Sequence, residues 1–463
     1  MKVHKKIISI LMLFLISMTL LSACSQPYEV FSLNQTVVRN ENFGFWNLYQ
    51  QEGTEFNDLH EQFRELLLKD FDFLTEKLRN YSPHFGVIYR HRRVDMDAHF
   101  YRRRNAIAAS SLVSLSRNTS LETMPRRVAD QFFVAQLWTF SSVVQIAHFM
   151  PVNQDMIRRN YFICLAYREM MTDDSFCEVF NNMSVSNFYQ LELVDRTTHE
   201  ANPMMQWDEN NIRTEIIVPN EVAYVSFSHF LNGSPENLLL DQNILFPFYY
   251  EIQNFKHLIF DFRGNPGGVG DTFYELVVRP FIEEPLEART HQFVRESVFN
   301  QMSNRLELLY IPNWINYSEV HPALDFVNEN EMVYFNVSDL EALHYVLISQ
   351  TVVKPVEVDF DFNGKIWILV DGGTASAGEL AVLFAMDTGF ATVVGTNTRG
   401  IMPSISASVV LPNTGIMFRF DVGYFTDAYG RSLEEFGITP NYLNRPGMDA
   451  LQTVLAMIEE MNY

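Results

Sequence analysis

The sequence predicts an α/β protein, on the evidence of two apolar runs and one long helical pattern. The runs 257–260 and 366–370 have the length and composition of buried strands, and each leads into a glycine-rich turn. Upstream, residues 56–150 place apolar side chains at helical spacing, beginning with Phe56 and Leu59. Parallel strands in α/β proteins deliver their following loops to one sheet edge, where ligands bind. We therefore expect a helical N-terminal domain and a sheet whose two glycine-rich loops meet.

The N-terminus has the pattern of a secreted lipoprotein. Three lysines precede an apolar run over 7–21, which is followed by Ser-Ala-Cys24. A basic start, a short apolar stretch and small residues before a cut predict a signal peptide over 1–23, and the run is too short to span a bilayer comfortably. A cysteine directly after the cut is the bacterial lipobox. We expect lipid on Cys24 to hold the protein at the extracytoplasmic side of the cell membrane.

Further organisation follows from composition and periodicity. Ser, Gln, Asn and Glu dominate just after the lipobox, which predicts a tether over 24–55. The helical pattern predicts an N-terminal helical domain over 56–150, and 151–215 is a connecting segment. The α/β core then occupies 216–463. An aromatic, mixed stretch at about 280–360 interrupts that core between its two loops, so we interpret it as an insertion that forms a lid.

Charge and cysteine content narrow the choice of partners. A formal net charge of −22 argues against nucleic acid and against adhesion to anionic lipid. Beyond Cys24, the chain has Cys164 and Cys177, which form a disulfide or remain two buried thiols. Neither lies in a Cys-x-x-Cys or histidine-rich context, so we expect no metal and no cofactor. Arginines concentrated between 90 and 104 pair with acids, are solvated, or hold a substrate carboxylate.

The two glycine-rich turns carry the candidate chemistry. Residues 372–379 read Gly-Gly-Thr-Ala-Ser-Ala-Gly-Glu and place Ser376 where a buried strand breaks into a helix. Backbone N–H groups and the helix N-terminus favour an oxyanion beside such a serine. In the other turn Gly267 and Gly268 lack a Cβ, so their backbone can approach a substrate. An ordinary strand–turn–helix with small residues for packing is the alternative.

Four motifs in order resemble the S41 serine peptidases, which include the C-terminal processing peptidases and the tricorn core protease. They lie at 261–268 (Asp-Phe-Arg-Gly-Asn-Pro-Gly-Gly), 374–379 (Thr-Ala-Ser-Ala-Gly-Glu), 391–400 and 434–441. The resemblance covers about 215–460 and implies a sheet-and-helix core of the ClpP/crotonase type, with Ser376 as nucleophile. It also implies an oxyanion hole formed by the N–H of Ala377 and by Gly267 or Gly268. The family often carries a PDZ domain, for which 151–215 is too short.

The chain departs from the processing peptidases at the proton acceptor. Their Ser–Lys dyad takes its lysine from a Thr-x-Gly-Lys motif, but residues 398–401 read Thr-Arg-Gly-Ile. Isoleucine cannot accept a proton, and Arg399 stays protonated. Either the chain is inactive or another residue is the base.

The tricorn-like branch implies the other base, a histidine assisted by a glutamate. The candidate base is His148, which ends a long helical segment; the alternative is a histidine that simply packs at a helix end. The candidate glutamate is Glu434, which precedes Gly-x-x-Pro at 437–440, and Glu435 is its close rival. Ala147 stands where tricorn has a serine. His99 and His229 are expected to be structural.

The sequence thus predicts a membrane-anchored serine endopeptidase acting on peptides or unfolded extracytoplasmic proteins with a Ser-His-Glu site. The alternative is an inactive peptide- or ligand-binding lipoprotein of the same fold.

Overall fold

The computed structural model describes residues 56–109, 124–144, 149–152, 157, 183–189, 191, 207–231, 235–303, 309–310, 317–402 and 404–461. Cys24, His148, Cys164 and Cys177, the predicted leader and the predicted tether lie outside these residues. Within them, the structure is mixed α/β with a helical N-terminal region, which confirms the predicted fold class. No helix in the described ranges is both long and apolar enough to cross a membrane.

The strands are β1 (Met150–Pro151), β2 (Ile212–Val218), β3 (Val222–Phe227), β4 (His257–Asp261), β5 (Leu286–Val294), β6 (Leu309–Tyr310), β7 (Glu319–Pro322), β8 (Tyr345–Val353), β9 (Lys365–Val370), β10 (Thr392–Gly395), β11 (Ser406–Val410), β12 (Met417–Asp421), β13 (Gly423–Thr426) and β14 (Tyr442–Leu443). The α-helices are α1 (Phe56–Tyr81), α2 (Phe85–Arg92), α3 (Met96–Ala108), α4 (Met124–Val144), α5 (Met183–Phe188), α6 (Pro235–Glu251), α7 (Gly270–Phe273), α8 (Glu296–Ser303), α9 (Ala323–Glu329), α10 (Ala377–Thr388), α11 (Leu433–Phe436) and α12 (Ala450–Met461). A π-helical turn spans Tyr274–Val278, and 3-10 turns span Arg279–Phe281 and Val337–Glu341.

The central sheet has the order β14-β10-β9-β4-β3-β2, and its strands are parallel except for the β2–β3 pair. β4 and β9 are direct neighbours, with Asp261 opposite Leu369. Both are almost fully buried, as their continuous apolar runs predict for strands covered on both faces. Because the two strands run the same way, the loops that follow them leave from the same edge.

Two antiparallel sheets flank the central one, with orders β1-β12-β11-β6 and β13-β5-β8-β7. The second is built largely from the predicted insertion, through β5, β7 and β8. In the first, β11 and β12 form the hairpin that the alternating pattern and the Pro-Asn-Thr-Gly turn at 412–415 predict. That turn is tied to α1, because the carboxylate of Asp70 accepts hydrogen bonds from Asn413 and Thr414 at 2.7–2.9 Å.

The N-terminal helices share one apolar core with the C-terminal half of the chain. Leu67, Phe71 and Leu74 recur at helical spacing on α1 and are all buried. They pack in a single cluster with side chains of the insertion sheet and of the β11–β12 hairpin, such as Phe293 and Phe418. The described helices between residues 56 and 144 are therefore packed onto the core as part of one hydrophobic unit.

Candidate active site

The two glycine-rich loops that follow β4 and β9 meet at the sheet edge, as the sequence predicts. The N–H of Ala375 donates to the carbonyl of Asn265 at 2.9 Å. The hydroxyl of Thr374 donates to the carbonyl of Phe262 at 2.7 Å. These contacts cross from one loop to the other, so the segment that carries Ser376 is fixed against the segment that carries the paired glycines.

Ser376 is the residue at which β9 and its loop turn into α10. Its backbone has φ 53° and ψ −121°, a conformation that an L-residue adopts only under strain. The cost of such a conformation is on the order of 1–3 kcal/mol, and it is found where function demands it. The side chain is 1% exposed, and within the described residues its hydroxyl has no hydrogen-bond partner. Buried hydroxyls nearly always have a partner, so a buried hydroxyl without one calls for an explanation, of which a catalytic role is one.

The buried carboxylate of Glu379 clamps this turn from behind. It accepts hydrogen bonds from the hydroxyl of Thr398 (2.5 Å) and from the N–H groups of Gly400 (2.7 Å), Ile401 (2.8 Å) and Ser376 (3.2 Å). Burial raises the pKa of Glu379 to about 7, while the four hydrogen bonds act in the opposite direction. Glu379 thus bonds back to the turn and joins it to residues 398–401.

Gly267 and Gly268 lie beside the serine, each with a positive φ. A Cβ on Gly267 would be 2.9 Å from the Cβ of Ser376 and 2.7 Å from the nitrogen of Ala377, so only glycine allows this approach. The N–H of Gly267 is already bonded to the side chain of Asn265 at 2.8 Å. The other two predicted donors, the N–H groups of Gly268 and Ala377, have no acceptor among the described residues. Of the predicted oxyanion donors, these two are available.

The rival glutamates Glu434 and Glu435 have different partners. Glu434 is buried and accepts a hydrogen bond from the N–H of Phe425 at 3.1 Å. Its Oε1 atom lies 3.9 Å from Nε2 of His84. Glu435 instead pairs with Arg90, with an N···O distance of 2.8 Å. Of the two, Glu434 is the carboxylate that faces an imidazole.

His84 comes from the N-terminal region and was not anticipated from the sequence. It is 2% exposed, and its ring stacks on that of Tyr424 with centroids 6.2 Å apart. Within the described residues, its Nε2 atom has no hydrogen-bond partner. Local sequence offers little to separate it from the other histidines, because its only signal is a position just before helix α2 and before Gly86.

The Glu434–His84 pair is connected to the serine turn through residues 398–401. The backbone N–H of Ser376 donates to the carbonyl of Ile401 at 2.7 Å. On the other side, Gly400 abuts the start of α11, since a Cβ there would be 2.9 Å from the carbonyl oxygen of Leu433 and 3.2 Å from that of Glu434. One short segment therefore contacts both the turn that carries Ser376 and the helix that carries Glu434.

The three histidines considered in the sequence analysis offer less support for a role as base. His148 lies outside the described residues, so its predicted role as base stays a prediction. His99 stacks on Phe140 and bonds its carbonyl at 3.2 Å, and His229 pairs with Asp208. Both have the structural partners expected of them. No group of three or more His, Cys, Asp or Glu side chains in the described part of the chain is placed to hold a metal.

Comparison with known protein families identifies a family for part of this chain. Residues 221–443 match the model of peptidase family S41. This region belongs to peptidase family S41. No curated protein matches the chain.

Solved structures similar to this chain have low sequence identity to it. Mature CPAF is 12% identical, with a TM-score of 0.47 and coverage of 86% of this chain and 97% of its own. A candidate peptidase from Parabacteroides merdae is 15% identical, with a TM-score of 0.46 and coverage of 86% and 96%. A lipoprotein from Streptococcus agalactiae is 11% identical, with a TM-score of 0.42 and coverage of 85% and 96%.

The S41 region holds an apolar residue where a dyad lysine would stand. Ile401 touches the serine turn directly, through the bond from Ser376 to its carbonyl and the bond from its own N–H to Glu379. The neighbouring Arg399 is exposed to solvent. Neither side chain can accept a proton from the serine.

Proposed function

We propose that the protein is a lipid-anchored serine endopeptidase in which Ser376 is the nucleophile and His84, oriented by Glu434, is the base. The observation that carries this proposal is a buried Ser376 hydroxyl without a partner on a strained turn, which residues 398–401 join to the helix whose Glu434 faces His84. Family membership supports a peptidase and therefore peptide or protein substrates. The choice of His84 over His148 rests on its contact with Glu434.

In the proposed reaction, imidazole takes the proton of Ser376 as the hydroxyl oxygen attacks a peptide carbonyl. The carbonyl oxygen becomes an oxyanion, which the free N–H groups of Gly268 and Ala377 stabilise together with the positive end of α10. Glu434 stabilises the imidazolium that forms. The imidazolium then protonates the leaving amine, and water hydrolyses the acyl-enzyme through the same base.

Ser376 is 1% exposed, so a substrate reaches it only after neighbouring segments move apart. This favours extended peptides or unfolded segments as substrates, because a folded surface could not enter such a site. Anchoring through lipid on Cys24 would restrict the targets to the extracytoplasmic side. Cys24→Ser is expected to release the protein from membranes or to block its maturation, measured by fractionation. Mature, membrane-bound Cys24→Ser protein would contradict the anchor.

The decisive experiment is labelling with a serine-reactive fluorophosphonate and hydrolysis of an unfolded protein. Wild type should label, Ser376→Ala should not, and His84→Ala should be slowed at least about a hundredfold, the contribution expected of a general base. His148→Ala is the matched comparison, because the two histidines compete for one role. If His148→Ala is the slow variant, the base is His148. A folded wild type that neither labels nor cleaves would establish the binding lipoprotein instead.

A comparison of Glu434→Gln with Glu435→Gln tests which of the two glutamates orients His84. The first should lower kcat by about ten- to a hundredfold, because orientation and charge at His84 are lost while the base remains. The second should act through Arg90 and so change kcat less. The reverse order would remove Glu434 from the site.

A further inference from the structure

A second ionic group lies beside His84 and has no part in the proposed chemistry. Arg90, on α2, bonds the carboxylate of Asp339 with both of its terminal nitrogens, at 3.0 and 2.7 Å. Its Nε atom bonds Glu435 at 2.9 Å. Asp339 belongs to the insertion and Glu435 to α11, so one guanidinium joins three segments that are far apart in the sequence. Charged bidentate bonds of this kind fix geometry as well as adding energy.

Asp339 makes two more contacts that converge on His84. Its Oδ2 atom accepts a hydrogen bond from the hydroxyl of Tyr424 at 2.9 Å, and the ring of Tyr424 stacks on His84. On the other side, Gly86 comes so close that a Cβ would lie 2.3 Å from Oδ1 of Asp339. The carboxylate thus contacts the chain two residues after His84 and, through Tyr424, the face of its ring.

The buried carboxylates around Arg90 explain why a cation is needed at this position. Asp339 and Glu435 have carboxylates that are only 4% and 10% exposed, and Glu434, the sequence neighbour of Glu435, is buried as well. Without a cation these acids would repel one another and α2 would not seat against α11. Contact with Asp339 and Glu435 raises the pKa of Arg90 against the effect of its burial, so its charge is permanent.

We propose that Arg90 is a positioning residue for the catalytic site. By binding Asp339 and Glu435 together, it locks α2 onto the insertion and the C-terminal region, so that His84 faces Glu434. This inference rests on the proposed function for its link to catalysis. It follows that the site in the S41 region needs the N-terminal helices, because helix α2 lies outside residues 221–443.

The test compares Arg90→Met with Arg104→Met. Arg104 makes an equally close ion pair with Asp72, at 2.7 Å, but on the surface between α3 and α1 and away from His84. Arg90→Met should lower kcat at least about tenfold with KM changed less than about threefold, because small displacements of a catalytic group cost rate and leave binding intact. Arg104→Met should stay within about twofold of wild type. Arg90→Lys, which keeps the charge and loses the fork, should fall between wild type and Arg90→Met.

Circular dichroism and thermal unfolding must first show that each variant is folded; if Arg90→Met is not, Arg90→Lys takes its place. A second readout needs no activity. The NMR signals of the His84 ring, assigned with His84→Ala, should move in the Arg90 variants and remain unchanged in Arg104→Met. An inactive wild type whose His84 signals still depend on Arg90 would contradict the proposed function and support the positioning role. Folded Arg90 variants with wild-type kcat and unmoved His84 signals would overturn it.

Discussion

Replacing Glu379 with glutamine tests how the structure holds the turn that carries Ser376. The carboxylate is fully buried, and burial raises its pKa from 4.5 to about 7 although four donors surround it. The folded state therefore keeps the proton to a higher pH than the unfolded state does. Between those two pKa values the folded protein binds more protons, so its free energy of unfolding falls as the pH rises. A shift of this size corresponds to about 3 kcal/mol at 1.36 kcal/mol per pKa unit.

The assay is urea unfolding of wild type and Glu379→Gln across about pH 4 to pH 8, in the pH range where both are two-state. Glutamine cannot titrate, and it also loses acceptor bonds, so the variant will be less stable overall. The informative quantity is the difference between the two free energies as a function of pH. We expect this difference to shrink by about 3 kcal/mol between the acid and neutral ends. A difference that stays constant would show that Glu379 ionises as an ordinary carboxyl group, and one that grows with pH would show that the four hydrogen bonds outweigh burial.

Three further predictions concern stability. Ser376→Gly should be more stable than Ser376→Ala by about 1 kcal/mol in urea unfolding, because only glycine relaxes at φ 53°; equal stabilities would argue against strain at the turn. Gly268→Ala should cost about 3 kcal/mol or more, since its Cβ would lie 2.4 Å from the carbonyl of Phe230, whereas Gly264→Ala, with nothing within 4 Å, should cost only about 1 kcal/mol by thermal unfolding. Asp70→Ala should lose about 3 kcal/mol, because it leaves buried donors of the β11–β12 turn without acceptors, and similar stabilities of mutant and wild type would contradict that tie.

Much of the core could be predicted because its signals are local. The runs 258–260 and 366–370 are apolar without alternation, as expected for strands buried on both faces, and they lie in β4 and β9. The hairpin formed by β11 and β12 followed from alternation and turn chemistry in the same way. The serine turn was identifiable because Gly, Thr, Ala and Ser in that order leave little besides a close-packed turn between strand and helix.

The pairing of His84 with Glu434 depends on contacts that no local pattern encodes. His84 and Glu434 are 350 positions apart and meet only because α2 packs against α11. Position in the chain favoured His148, while three-dimensional packing placed the imidazole of His84 beside the carboxylate. The neighbouring glutamates could not be separated in the sequence, since their difference lies in which side of a four-residue helix faces Arg90.

The sequence by itself determined the α/β class, the strands that carry the two loops and the serine at which strand turns into helix, because each follows from the side chains and backbone freedom of neighbouring residues. The tertiary structure alone decided which carboxylate faces which imidazole, which glycine N–H stays free and which arginine joins α2 to the core. Those features are set by distances between segments that are remote along the chain, and they depend on how a shared apolar core brings the N-terminal helices onto the sheets.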